Sequence, residues 1–104
     1  MDHAREIFEE AVRKAGEFRR DVKLWGVYTL DKSVSHAKVT IQSQGGEEFR
    51  LDFTVGANDK VSASASGLNG WPIPECTLTS DSIEDAITDA IQWKLGSTRL
   101  FNSD

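Results

Sequence analysis

Three aspartates, Asp81, Asp85 and Asp89, recur at intervals of four, the spacing that places side chains on one face of a helix. Glu84 lies among them and Lys94 is the only base nearby. Like charges so placed repel one another by a few tenths of a kcal/mol per pair, roughly 0.2–0.5. Asp81 and Glu84 suit a helix N-terminus, where the dipole favours negative charge. Asp89, in the second half, gains less from it. The chemistry such a ridge offers is electrostatic recognition: it meets a basic partner, or imitates a row of phosphates. Other reactive types are sparse. His3 and His36 stand far apart, and no cysteine or carboxylate near either has the spacing of a zinc site. Cys76 is the only cysteine, and a thiol needs a neighbouring base to act as a nucleophile. His36 is the only candidate, with no local signature linking the two. No catalytic residue, metal ligand or cofactor site is therefore expected, and Cys76 reads as a partly buried, inert thiol.

Two further features point to contact with another molecule. Trp71 stands among Gly67, Asn69, Gly70, Pro72 and Pro74. A tryptophan on such a loop either anchors a partner or, together with Ile73, lids the core beneath it. Ser62 and Ser64 belong to an alternating strand with no charge after Lys60. Such a strand at a sheet edge invites pairing with another chain, so a homodimer through it is expected unless the C-terminal tail covers it. Asp81, Asp85, Asp89, Trp71, Ser62 and Ser64 are thus the candidate partner-binding residues.

Gly45-Gly46-Glu47-Glu48-Phe49 resembles the five-residue signature of diguanylate cyclases, where it also sits at a hairpin turn. The likeness ends with those residues. That family's catalytic domain is longer than this chain, and the Arg-x-x-Asp of its inhibitory site would fall on His36-Ala37-Lys38-Val39, which does not match. Two glycines followed by acids also suit a polar hairpin, and they are read here as one.

The elements that hold these residues follow from periodicity. Ala4, Ile7, Phe8, Ala11, Val12, Ala15, Phe18 and Val22 form one stripe at steps of three and four, predicting a helix from His3 to Leu24. Glu9–Arg13, Glu10–Lys14 and Arg13–Glu17 set opposite charges four apart on its other side. Trp25–Leu30 reads as a first strand. Ala37–Ser43 and Glu48–Val55 alternate apolar with polar, the pattern of strands with one dry face and one wet face. Gly56–Asp59 reads as a turn and Lys60–Ser66 as a fourth strand. Residues from Gly67 to Leu78 read as a stiff loop. Asp81 and Glu84 resemble a cap for a second helix carrying Ile83, Ala86, Ile87, Ala90, Ile91 and Leu95, with Gly96 as its stop. Ser97–Asp104 is left as a tail. The fold expected is α+β: helix, four-stranded antiparallel meander, helix, with both helices on one face.

A chain of 104 residues makes one domain. Its formal charge of −5 argues against non-specific nucleic-acid or anionic-membrane binding, both of which draw on excess lysine and arginine. No apolar run approaches the roughly 20 residues of a membrane span. The lone cysteine and charged N-terminus fit the cytoplasm. The function expected is a non-enzymatic interaction module, an adaptor, regulator or inhibitor of another protein, in the style of phage or mobile-element inhibitors. The alternative is a small-ligand binder or minor enzyme, with a pocket under the Trp71 loop where Ala63 and Ala65 face Phe49 and Phe53.

Overall fold

A computed structural model describes residues 3–18, 25–32, 35–43, 46–72 and 74–102, and the side chains among them except those of 17, 18, 25, 26, 28–32, 43 and 95–102. The alternating stretches form β1 (Trp25–Lys32), β2 (His36–Ser43), β3 (Glu48–Val55) and β4 (Lys60–Ser66), antiparallel and in chain order. Helix α1 (His3–Phe18) precedes them and α2 (Ser80–Asn102) follows. The expected α+β meander with a helix at either end is present, with one addition. A short strand β5 (Cys76–Thr77) joins the sheet outside β4.

The register sets Ala37 opposite Phe53, Val39 opposite Leu51 and Ile41 opposite Phe49. All six side chains are buried, because directly paired residues share a face. Both helices cover that face. From α1 come Ala4, Phe8, Ala11 and Ala15, and from α2 Ile83, Ile87, Ala90 and Ile91. Phe8 meets Phe53 with ring centroids 5.7 Å apart, tilted by 44°. Each large side chain fully buried here contributes roughly 1.5–3 kcal/mol. Lys14 joins the helices outside the core, its Nζ 2.8 Å from Asp81 Oδ1. Arg13 pairs with Glu10 at 3.1 Å, so the bases of α1 serve both their own helix and its neighbour.

Lys38, Gln42, Arg50, Thr54, Ser62, Ser64 and Ser66 are exposed on the opposite face. Thr40 departs from them at 6% exposure, and its Oγ1 and Asp52 Oδ1 are buried without a hydrogen-bond partner among the described residues. At the β3–β4 turn, Asn58 and Asp59 take φ of 60° and 57°, and the Lys60 N–H donates to the Ala57 carbonyl. Positive φ at both central residues is what the right-handed twist of a tight hairpin demands. Gly67 also sits at positive φ (92°), which favours glycine, and a Cβ there would crowd Phe49 Cβ at 3.2 Å.

Several expectations need correction. Thr79, not Asp81, caps α2: its Oγ1 accepts from the Ser82 N–H at 3.1 Å. Two capping types stand close together in the sequence, and the side chain with the N–H within reach takes the position. Gly96 does not stop α2, which runs on to Asn102, so most of the supposed tail is helix. One glycine costs a helix about 1 kcal/mol, too little to end it. The loop over 67–78 contains β5, so β4 is not bare along its whole edge. Residues 19–24, 44–45 and Ile73 lie outside the described residues, and with them the predicted end of the first helix and part of the GGEEF turn.

β5 is brief for a reason visible in the sequence. Its register pairs Thr77 with Lys60 and Cys76 with Val61. Continued upstream, the same register would set Pro74 opposite Ala63 and Pro72 opposite Ala65. Proline has no N–H to give a ladder, and the pairing ends at Cys76.

Candidate functional site

Along α2, Ile83, Ile87, Ala90 and Ile91 take the buried face. Ser82, Asp85, Ala86, Asp89 and Gln92 fall on the adjoining face, by the 3.6-residue period. They form one wall of a groove of about 560 Å³. Opposite stand Ala63 of β4 and Cys76 of β5, with Trp71 and Pro74 from the connecting segment. The groove exists because β4 presents alanine where β2 and β3 present isoleucine, leucine and phenylalanine. Ala63 and Ala65 stay partly exposed, leaving the space between sheet edge and helix unfilled. The sequence suggested a pocket under the Trp71 loop; this groove shares Ala63 with that expectation but has Trp71 in its lining, and Ala65, Phe49 and Phe53 do not line it.

Trp71 forms the floor. It is only 5% exposed, and its Nε1–H donates to Asp89 Oδ2 at 2.9 Å. A buried indole needs a partner for that hydrogen, and Asp89 supplies it while keeping the segment against α2. Trp71 is therefore a lid on the core more than a protruding anchor. Trp93, 37% exposed, stands at the core margin, its Nε1–H directed to the Asn69 carbonyl at 3.4 Å. Asp85 is exposed on the same wall as Asp89 and makes no hydrogen bond or ion pair among the described residues. Thr88 also lines the groove, and its Oγ1 is buried without a hydrogen-bond partner among the described residues.

Asp85, Asp89 and Trp71 thus come together, as three of the candidate residues. Asp81 does not join them: it lies on the α1 side of the helix start, paired with Lys14. That hydrogen bond, aided by the negative charge of Asp81, holds the Lys14 ammonium above its usual pKa. Ser62 and Ser64 are exposed on the outer sheet face, away from the groove. Cys76, expected only as a partly buried thiol, and Pro74 are groove residues that the sequence did not place there. Burial, and secondarily the Glu75 carboxylate, pushes the Cys76 thiol above its ordinary pKa, so at neutral pH it is a neutral, weakly nucleophilic sulfur. Among the described residues no three His, Cys, Asp or Glu side chains gather closely enough to hold a metal ion, and no helix is long and apolar enough to cross a membrane.

No family model, characterised protein or solved structure matches this chain. The groove must be interpreted from its own geometry.

Proposed function

We propose that this protein is a non-enzymatic interaction module whose contact surface is the groove between α2 and the β4–β5 edge, and that it takes a basic segment of a partner protein. The observation that carries this is one groove in which apolar side chains (Ala63, Trp71, Pro74, Ala86) meet the Asp85 and Asp89 carboxylates. Lysine and arginine suit such a site, since their methylene stems cover apolar surface while the charged end reaches an acid. The overall charge of −5 adds a field that steers cations inward and repels anions. Asp81 contributes to that field but not to the groove.

Fluorescence anisotropy with labelled hexapeptides tests the reading, using alternating Lys-Val and Glu-Val sequences against the wild type and Asp85→Asn/Asp89→Asn. Asparagine keeps an acceptor for the Trp71 indole and removes only charge. The Lys-Val peptide is expected to bind, weakening with salt, and the double variant to lose about threefold to tenfold in affinity, as two exposed ion pairs allow. Equal binding of the Glu-Val peptide, or an unchanged double variant, would remove the groove acids from the function.

The groove volume favours one second reading, a small cationic metabolite as occupant, since small-molecule pockets span about 300–1,000 Å³. A thermal-shift screen of amines separates the two. A rise of several degrees with a small amine, without peptide binding, would transfer the site to the metabolite.

A further inference from the structure

Hydrogen-bond parity along β4 says more about how a segment would enter the groove. The Gly56 N–H donates to the Lys60 carbonyl at 2.7 Å, and Val55 lies opposite Val61. In an antiparallel ladder bonded and non-bonded pairs alternate. Lys60, Ser62, Ser64 and Ser66 therefore turn their N–H and C=O groups toward β3, and Val61, Ala63 and Ala65 turn theirs to the outer edge. Val61 is met by Cys76 of β5. The peptide groups of Ala63 and Ala65 meet no strand among the described residues: the pairing with β5 stops at Cys76, and the register continued would call on Pro74 and Pro72, which have no N–H to give. The same two alanines point their methyl groups toward α2, and Ala63 lines the groove.

We infer that the occupant is an extended segment of a partner protein that adds to the sheet in line with β5, bonding to the outer edge of Ala63 and Ala65. This rests on the functional reading above and specifies its mode. Main-chain bonds to an open edge give affinity in such additions, and alternate side chains give specificity. Residues directly opposite Ala63 and Ala65 bond to them through the backbone and share their face. Their side chains therefore enter the groove and run toward Asp85 and Asp89. The segment carries lysine or arginine at those positions, two residues apart. A second copy of this chain fits less well. Pairing β4 with its own copy would bring both acidic walls onto one face of the joined sheet, and β4 offers only alanine to the facing groove.

Hydrogen exchange read by NMR, with the Lys-Val hexapeptide as probe, tests the inference. In the free protein the amides of Ala63 and Ala65 are expected to exchange fast beside protected Ser62 and Ser64. With saturating peptide both should slow by about tenfold or more. N-methylating the lysine amides of the peptide should abolish that protection and cost about tenfold in affinity, whereas N-methylating the valine amides should not, since only the former face β4. Peptide that binds in an Asp85- and Asp89-dependent manner, yet leaves Ala63 and Ala65 exchanging freely, overturns strand addition and keeps the acidic groove. Peptide that does not bind overturns both. Protection of the two alanines without peptide, accompanied by a doubled mass in light scattering, overturns the inference in favour of self-pairing.

Discussion

The indole of Trp71 belongs to core and groove at once: its rings are packed beneath α2 and its one polar atom is held by Asp89. Removing the rings and removing the hydrogen bond are separable. Trp71→Ala deletes a buried aromatic and should cost about 3–5 kcal/mol, read as a lower denaturant midpoint. Trp71→Phe keeps most of the burial and withdraws the donor from Asp89. It should cost less than Trp71→Ala by more than about 1 kcal/mol, and a phenylalanine variant as unstable as alanine would show that the hydrogen bond dominates. Cys76 offers a prediction in pH. Its thiol pKa is raised, first by burial and then by Glu75. Alkylation by iodoacetamide near pH 8 should therefore run slower in the folded protein than in urea, and Glu75→Gln should narrow the gap only in part. The sign for stability follows. The folded state favours the neutral thiol, so its contribution is complete below the ordinary thiol pKa, about 8.5, and is lost as pH rises through the folded value.

The elements differ in how openly the sequence announces them. Strict alternation over Glu48–Val55 gives β3 its buried Phe49, Leu51 and Phe53 without help from elsewhere. The stripe on α2 does the same for Ile83, Ile87 and Ile91. Helix ends are harder, because neighbouring residues compete to cap and a single glycine weighs little against the turns on either side. α2 running through Gly96 makes Gly96→Ala informative. It should stabilise by up to about 1 kcal/mol if the position is helical, raising the melting temperature by about 4–8 °C at this chain size. A lower melting temperature would show that the glycine is needed where it stands. β5 lay beyond sequence reading altogether. Two residues carry no periodicity, and their pairing depends on where a connecting segment returns in space. For the same reason Asp85 and Asp89 could be recognised as one helix face, whereas Cys76 and Pro74, which stand across from them, could not.

At the scale of the molecule, one hydrophobic layer joins both helices to one face of the sheet, and the groove proposed for binding sits at its β4 side. A single core predicts cooperative unfolding, with tryptophan fluorescence and far-UV circular dichroism giving coincident transitions. Helix-only loss at lower denaturant would show instead that α2 separates from the sheet on its own. The two prolines of the connecting segment have a wider effect. On the strand-addition mode proposed above, they would keep the chain from becoming its own ligand. Replacing Pro74 by valine would restore a donor at the next rung, so that the connecting segment zips onto Ala63 and lengthens β5. A tethered competitor of that kind acts at an effective concentration of about millimolar, above what a free peptide normally reaches. Pro74→Val is therefore expected to arrive already occluded, with a slowly exchanging Ala63 amide and a weakened response to the Lys-Val peptide.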